Sequence, residues 1–436
     1  MLGTELLSEI PSLLLLVVLA LVSLWWMSTR RPAGVPPGPG FALPLLGHLH
    51  LLKSGVVDSS GPVWKAQRKT SLEILRELGM GKNILAEKIQ EEVKEYIEAI
   101  AKKNGEPQDL TRITQVSVSN NICSIVFGKR FEYEDPVFKG YMQRIEENIQ
   151  AAGTVAVVQT FPVFRFIPGD PFGVRKIFDN VIAILNTLIK PFIDLHVKNF
   201  DENCVDDFIS AYLREIRKVQ HKPSAEFINE VNLRKVVMDL FTAGTETTST
   251  TIRWAITYFL HHPDVKDRCY EEIHRVVGTE RVPTIRDRPE LVYMEATILE
   301  VLRCSSIVPF SVPHSTATEV QFRGYTIPKG TLITPNLYSV LHAPEVWGDP
   351  DNFRPERFIG KDGKLLRFEE HIPFSIGRRA CLGEALARME LFLYLAAMIQ
   401  RFRFLPPETG ELPSLQRTYG IIDTPKRYMV RAVLRD

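Results

Sequence analysis

The longest helical pattern in the chain runs from about Val231 to His262. It ends before Pro263, where a helix is expected to stop because proline disfavours the helical conformation of the preceding residue. Apolar residues lie on several sides of this helix, in the stretches VVMDLF and WAITYFL. Because a helix that is apolar all round must be buried, this one is predicted to cross the core of a large globular unit.

The rest of the chain is predicted to be mainly α with a small β region. The stretch EKIQEEVKEYIEAIAKK, Glu87 to Lys103, repeats apolar residues at the spacing of an amphipathic helix. Strand-like stretches are few, and VQFRGYTIP and TLITPNL are predicted to form a hairpin region around Pro328, Lys329 and Gly330.

Composition limits the function classes. The 436 residues are 45% hydrophobic and 24% charged, as in globular proteins, which argues against a disordered chain or a fibre. Lys plus Arg number 53 against 52 Asp plus Glu, so no overall field favours nucleic acid as a partner. The cysteines are few, odd in number and far apart, which argues against a disulfide framework or structural zinc and fits a reducing compartment. They are Cys123, Cys204, Cys269, Cys304 and Cys381.

The N-terminus departs from this globular pattern. Ile10 to Met27 is a stretch of 18 uncharged residues, which as a helix would be about 27 Å long, close to the thickness of a bilayer's hydrocarbon core. Arg30 and Arg31 follow it, so the positive-inside rule places the rest of the chain in the cytosol. The alternative is a cleaved signal peptide, but a basic leading region and a clear cleavage site are missing. Residues 1–29 are therefore predicted to be one N-terminal transmembrane helix, the anchor of a single-pass protein.

A proline- and glycine-rich stretch, RRPAGVPPGPGFALPLLG, follows the anchor. Because successive prolines fix φ and resist helix formation, residues 30–47 are predicted to be a stiff, extended hinge. Residues 48–436 are then predicted to form the main domain.

One cysteine lies in an unusual setting, FSIGRRACLGE at residues 374 to 384. Three interpretations are open for Cys381: a nucleophile with a histidine partner, a thiolate that binds a metal, or an ordinary buried thiol. Gly377 and Gly383 allow the backbone to curl around the sulfur, and Arg379 supplies positive charge. A helix begins at or just after the cysteine, and its N-terminus favours an anionic sulfur. These features suit a thiolate held open to one large ligand.

The spacing Phe374-x-x-Gly377-x-Arg379-x-Cys381-x-Gly383 resembles the haem-binding loop of the cytochromes P450. The resemblance implies haem b as the cofactor, with the Cys381 thiolate as its axial iron ligand. It also implies that the other four residues of the pattern help to bind the cofactor.

A second match lies in the middle of the long helix, in AGTETT, Ala243 to Thr248. Threonine hydroxyls can bond to the preceding turn and loosen a helix, and a polar cluster between apolar stretches is costly to bury. A polar patch on an exposed turn is the plain alternative. In the family this motif faces the distal side of the haem, which implies that Glu246 and Thr247 are the catalytic acid–alcohol pair that delivers protons during dioxygen activation.

A third match is Glu300-x-x-Arg303, a pair on one helix face that alone indicates no more than a surface ion pair. It is followed by FRPERF, Phe353 to Phe358. The family joins such a pair to an arginine of that loop, here Arg357, in a buried network whose role is structural.

Trp64 and Arg68 in GPVWKAQRK lie one helical turn apart, as at the start of any amphipathic helix. The resemblance implies that Arg68, with Trp64, binds a haem propionate, a charge-assisted pairing that suits arginine. His314 in VPHST and Arg379 match the other positions that hold the propionates.

The resemblance extends from the anchor to the C-terminus and is closest to the microsomal family-2 type. It implies a haem-thiolate monooxygenase in the endoplasmic reticulum membrane, which takes electrons from NADPH through a separate NADPH-cytochrome reductase, with a cytochrome b-type protein as a second donor. It further implies a hydrophobic substrate, such as a lipid, a fatty acid or a xenobiotic. The residues implied to border the pocket, for which simple core packing is the alternative, are Phe241, Ala243, Val308, Phe310, Val312, Ile421 and Ile422.

One departure from the family lies after Ser54. Trp64 follows Gly40 by only 24 positions, where the family has its first helices, two strands and the loop over the pocket. The main domain is therefore expected to lack part of its N-terminal helix and sheet region. Two hypotheses follow, a working monooxygenase with an opened pocket or a truncated membrane-bound isoform with little catalysis that competes for the reductase. A haem-thiolate isomerase, which needs no external electrons, is a third hypothesis, and the Glu246–Thr247 pair argues against it.

Overall fold

A computed structural model describes residues 60–160, 164 and 167–435 of the chain. The described residues divide into two compact units, a larger one of residues 60–153, 175–311 and 336–435 and a smaller one of residues 154–160, 164, 167–174 and 312–335. The predicted anchor, the hinge and the junction after Ser54 lie outside the described residues.

Helices make up most of the described chain, which confirms the prediction of a mainly α fold. In chain order they are α1 (Gly61–Glu77), α2 (Asn83–Ala101), α3 (Thr111–Phe127), α4 (Pro136–Thr160), α5 (Val174–Ile184), α6 (Lys190–Lys198), α7 (Phe208–Val219), α8 (Glu230–His261), α9 (Pro263–Val277), α10 (Val292–Ser305), α11 (Leu337–Leu341), α12 (Pro344–Trp347) and α13 (Glu384–Arg401).

A π-helical turn, Leu185–Ile189, joins α5 to α6 without a break. The resulting helix, Val174–Lys198, is the one helix of the described chain that is long and apolar enough to span a membrane. Core helices of soluble proteins can have the same length and composition. This helix is therefore no argument against the anchor predicted at Ile10 to Met27.

The long predicted helix is α8, and its ends have clear physical causes. At its start the Asn229 side chain accepts a hydrogen bond from the backbone N–H of Asn232, an N-cap that satisfies one of the free N–H groups of the first turn. At its end α8 gives way to α9, which starts at Pro263.

The helices α3 and α8 pack closely against each other in the larger unit. A Cβ atom on Gly244 would lie 2.5 Å from Cδ1 of Ile122, so only glycine allows the two backbones to approach this closely. Next to this contact the hydroxyl of Thr245 donates to that of Ser119 at 3.1 Å. The residues that follow Gly244 on α8 are therefore packed against α3.

The β structure is small and antiparallel. In the larger unit, β1 (Pro107–Gln108), β6 (Phe402–Leu405) and β9 (Val430–Leu434) form a sheet in the order β1–β9–β6, and β7 (Arg417–Thr418) pairs with β8 (Thr424–Pro425). In the smaller unit, β2 (His314–Ser315) pairs with β5 (Leu332–Ile333), and β3 (Val320–Phe322) pairs with β4 (Tyr325–Ile327).

The predicted position of the hairpin turn, around Pro328 to Gly330, is wrong. The strands β3 and β4 pair with each other, so the tight turn lies at Arg323 and Gly324, both of which have positive φ, at 49° and 81°. Two residues with positive φ match the right-handed twist of the flanking strands. The stretch after Gly330 contributes β5, which pairs with the more distant β2.

Candidate active site

The loop before α13 presents Cys381. The backbone N–H of Cys381 donates to the carbonyl of Phe374 at 2.9 Å, which closes the loop. Gly377 has a φ of +78°, a conformation that favours glycine, whereas Gly383 has an ordinary φ of −92°. Of the two glycines, only Gly377 is therefore needed for its backbone conformation.

The thiol of Cys381 is open on one side and surrounded by protein on the others. Cys381 is exposed, yet the backbone N–H groups of Gly383 and Glu384 hydrogen bond to its sulfur at the start of α13. Desolvation raises the pKa of the free thiol, while these N–H groups and the charge of Arg68 oppose the rise. The loop thus supplies N–H donors and positive charge for an anionic sulfur that has a ligand on its open side.

Two arginines lie close to this loop. The Arg68 guanidinium, on α1, donates to the carbonyl of Ala380 at 2.8 Å. The Arg379 guanidinium lies over the ring of Trp64, 3.9 Å from its centroid. Burial, and next the charge of Arg68, lowers the pKa of Arg379. Among the residues that the structure describes, no carboxylate forms an ion pair with Arg68, so the cluster suits an anionic ligand.

His314 lies in the smaller unit, on β2, where its Cα partner in the register is Ile333. Its Nδ1 atom is buried and has no hydrogen-bond partner within the described part of the chain. Because a buried polar atom without a partner is costly, this nitrogen is suited to a polar group that the protein binds.

Glu246 and Thr247 follow each other on α8, but their side chains bond to different partners. Glu246 is 2% exposed, and its Oε2 accepts a hydrogen bond of 2.8 Å from Nε2 of Gln115 on α3. The hydroxyl of Thr247 donates to the carbonyl of Ala243, one turn earlier, at 2.7 Å. Ala243 is exposed and Thr247 half-buried, so this turn of α8 has one face open.

Burial raises the pKa of Glu246 to about 7, against the hydrogen bond from Gln115 and the charge of Arg253, which lower it. A carboxyl group with a pKa near neutrality populates both protonation states, as a proton donor and acceptor requires.

Glu246 also borders a cleft of the larger unit, together with Glu146, Arg253 and Ile422. Two buried atoms beside this carboxyl, Oε1 of Gln115 and Nε of Arg253, have no hydrogen-bond partner among the described residues. Such atoms are usually satisfied by ordered water, so the cleft is suited to hold water near Glu246.

The predicted pocket residues do not all lie at an open surface. Phe241 is fully buried, and its ring packs against those of Phe127 and Phe138, so its place at the pocket stays a prediction. Phe241 lies two residues before Ala243 on α8, and therefore on another face of the helix.

The other predicted pocket positions vary in exposure. In the larger unit Phe310 and Ile421 are exposed, Val308 is half-buried, and Ile422 is buried at the edge of the cleft. In the smaller unit Val312 is exposed.

Glu300, Arg303 and Arg357 form one buried network. Glu300 Oε2 accepts from Arg303 Nε at 2.7 Å, and Oε1 accepts from Arg357 Nε at 3.0 Å. Glu300 and Arg303 are fully buried and Arg357 is 8% exposed, which excludes a surface ion pair. The two guanidiniums also bond to backbone carbonyls of the loop before Arg357, at Pro350 and Asn352 among others, so the network fixes that loop to α10.

The sequence interpretation missed Gln115 and Arg253. Gln115 is 131 positions away from Glu246, and nothing in its local pattern distinguishes it from a polar residue on a helix surface. A second glutamate, Glu390 on α13, is also buried without any sequence signal.

Comparison with known proteins gives matches along nearly the whole chain. The model of the cytochrome P450 family matches residues 42–432. Cytochrome P450 2J2 of Homo sapiens is 40% identical over 384 residues, which are 87% of this chain and 75% of that protein. Cytochrome P450 2U1 of Homo sapiens is 39% identical over 393 residues, 89% of this chain and 71% of that protein. Cytochrome P450 2B4 of Oryctolagus cuniculus is 39% identical over 387 residues, 87% of this chain and 77% of that protein.

Proposed function

Because the chain belongs to the cytochrome P450 family and is a haem-thiolate monooxygenase, we propose that it inserts one oxygen atom of dioxygen into a hydrophobic substrate. The observation that carries the proposal is the Cys381 loop, in which the backbone N–H groups of Gly383 and Glu384 bond to an exposed thiol while Arg68 and Arg379 lie beside the loop. The electrons come from NADPH through a separate reductase.

The residues present fit the family's cofactor, a haem whose iron is held by a cysteine thiolate. We assign Cys381 as that ligand and Phe374, Gly377 and Gly383 as residues that shape its loop. Arg68, Arg379 and Trp64 would bind the propionates on one side, which their charge and their position beside the loop support.

The unpartnered Nδ1 of His314 supports its assignment as a further propionate donor. When bound, the haem supplies the chemistry of dioxygen activation and oxygen insertion.

Proton supply is the part of the reaction that the chain's own residues perform. Glu246 holds a proton at its carboxyl group near neutral pH, and Gln115 fixes the orientation of that group. Two threonines flank Glu246 in sequence, and the hydroxyl of Thr245 is fully buried in bonds to Ser119 and the Phe241 carbonyl. Thr247 is half-buried, and its bond to the Ala243 carbonyl is easily exchanged for one to a ligand or a water. We assign Glu246 as the acid that takes protons from water in its cleft and Thr247 as the alcohol that passes them to the haem side.

The substrate class follows from the apolar side chains at the open surface. In the larger unit Val308, Phe310 and Ile421 offer hydrophobic contacts and no charge, as a lipid, a fatty acid or a xenobiotic requires. In the smaller unit the exposed Val312 is apolar as well. We place the protein in the endoplasmic reticulum membrane, held by its N-terminal segment, with the catalytic domain in the cytosol. Partners there are the reductase and a cytochrome b-type donor.

The alternatives are less favoured. A truncated, inactive isoform would not need its haem-side residues, yet Cys381, Arg68 and Arg379 are all present and lie close together. A haem-thiolate isomerase would not need a buried acid with a pKa near 7 beside a threonine.

The test is turnover of the full chain, purified in detergent with haem and mixed with reductase and NADPH. Fatty acids and apolar drug-like compounds are offered under isotopically labelled dioxygen, and incorporation of the label into product is measured by mass spectrometry. Label in the product that depends on NADPH supports the monooxygenase. Product without NADPH indicates the isomerase, and no product with intact haem binding indicates the inactive isoform.

A further inference from the structure

Glu390 is an acid that the proposed reaction does not use. It lies in the second turn of α13 and is 1% exposed. Its Oε1 accepts from Nδ2 of Asn121 on α3 at 3.0 Å, and its Oε2 accepts from the hydroxyl of Thr248 on α8 at 3.1 Å. Within the described residues it has no ion pair, so its charge would be uncompensated if it ionised.

The carboxyl group is therefore neutral around pH 7. Burial raises the pKa of Glu390 to about 8, although the hydrogen bonds from Asn121 and Thr248 lower it. A neutral acid can be buried with two hydrogen bonds and no counter-charge, whereas a carboxylate there would carry a large desolvation penalty.

Three helices meet at this one side chain. Asn121 also donates to the hydroxyl of Tyr394 on α13 at 3.1 Å, and that hydroxyl bonds to Ser117 of α3 at 2.7 Å. The same two helices are thus joined twice, one turn apart. Among the residues that the structure describes, Glu390 is the member of this network that hydrogen bonds to α8.

On both helices the contact between Glu390 and Thr248 lies close in sequence to the residues assigned to the reaction. The α13 helix begins at Glu384, whose backbone N–H bonds to the sulfur of Cys381. Glu390 lies nine positions after that cysteine. On α8, Thr248 follows Glu246 and Thr247 directly. An apolar side chain would fill the same volume without the cost of burying a carboxyl group, and buried polar contacts of this kind can fix the register of packed helices.

We propose that Glu390 is a positioning residue that fixes the register of α8 against α13, and with it the placement of Glu246 and Thr247 relative to Cys381. This role rests on the proposed function, because it matters for catalysis only if that acid–alcohol pair supplies protons. The local effect on α8 does not depend on turnover and can be measured separately.

The experiment compares Glu390→Leu, Glu390→Gln, Thr248→Val and the double variant Glu390→Leu/Thr248→Val in the full, haem-loaded chain. Glu92→Leu is the matched control, because Glu92 is also buried, at 6% exposure, and its side chain bonds to Tyr133, Arg130 and Ser117 but, within the described residues, to no residue of α8. The first readout is hydrogen–deuterium exchange in peptides that cover residues 243–251. The second is the peroxide released per NADPH oxidised.

We expect Glu390→Leu and Thr248→Val each to speed exchange in residues 243–251 by roughly tenfold, as the loss of one buried hydrogen bond predicts, and to raise the peroxide fraction. The double variant should be no worse than the single ones, since both remove the same contact. Glu390→Gln should behave like the wild type, because the amide oxygen still accepts from Asn121 and the amide N–H donates to the Thr248 hydroxyl, which can accept as well as donate.

Two outcomes would overturn the proposal. One is a Glu390→Leu variant whose exchange in residues 243–251 and peroxide fraction equal those of Glu92→Leu, which would make Glu390 an ordinary buried group. The other is additive effects in the double variant. If Glu390→Leu does not fold, Thr248→Val takes its place in the comparison with Glu92→Leu, and Glu390→Gln must still behave like the wild type in both readouts. If the wild type consumes no NADPH, the proposed function fails, while the exchange data still decide the role of Glu390.

Discussion

The substitution Glu300→Gln is expected to be among the most destabilising single changes of similar size in this chain. The carboxylate accepts hydrogen bonds from Arg303 at 2.7 and 2.9 Å, from Arg357 at 3.0 Å and from the backbone N–H of Arg354 at 2.9 Å. In glutamine one oxygen becomes an NH2 group, which would point a donor at a guanidinium. The substitution also leaves two buried guanidiniums without their shared counter-charge.

The magnitude follows from the burial of the network. Breaking a buried ion pair by removing one partner costs about 3 to 5 kcal/mol, and Glu300 and Arg303 are both fully buried. The control is Glu356→Gln, since the Glu356 side chain is 39% exposed and pairs with an Arg268 side chain that is 50% exposed. Loss of that exposed pair should cost less than about 1 kcal/mol.

The assay is urea unfolding of both variants and the wild type in the same detergent. Tryptophan fluorescence is a suitable probe because the Arg303 guanidinium lies 5.3 Å from the ring centroid of Trp347. A loss of stability for Glu300→Gln that is within about 1 kcal/mol of the loss for Glu356→Gln would refute the reasoning, because it would mean that the buried charges are compensated elsewhere.

Three further predictions concern α8 and its neighbours. Gly244→Ala should destabilise the fold by about 1 to 3 kcal/mol in urea unfolding, because the new methyl group overlaps Ile122; an unchanged midpoint would show that Ile122 can move away. Thr247→Ala should raise the peroxide released per NADPH oxidised, and unchanged coupling would argue against the assigned proton transfer. Glu390→Gln should gain stability over the wild type as pH rises. The folded wild type binds one proton more than the unfolded chain between the ordinary pKa of 4.5 and the folded pKa of about 8. Its free energy of unfolding therefore falls by about 1.4 kcal/mol per pH unit in this window relative to the variant, and parallel pH curves would contradict the assignment of a neutral acid.

Much of the fold, and the cysteine loop, could be predicted from patterns of residues that lie close together in the sequence. The α8 helix could be predicted from its apolar pattern and its end from Pro263, because both depend on residues next to each other in the chain. The Cys381 loop could be recognised because five of its residues lie within ten positions.

The contacts that join distant segments could not be predicted in this way. Gln115 and Glu390 meet their partners across 131 and 142 positions, and their neighbours in sequence resemble those of any helix. The face on which Phe241 lies depends on the packing of α8 against the ring of Phe127, and this packing is decided by the whole fold. The hairpin turn was misplaced because Pro328 to Gly330 is also a turn signal, and strand pairing outside the segment decides between the two.

The most direct test of the account is the difference spectrum of the reduced, carbon-monoxide-bound protein, recorded for the wild type and for Cys381→Ser. A wild type with a strongly red-shifted Soret band, together with a variant that binds haem and lacks this band, is the predicted result, because the band requires a thiolate on the iron. A wild-type band at shorter wavelength, or a red-shifted band that survives in Cys381→Ser, would contradict the assignment of Cys381 and with it the proposed monooxygenase site.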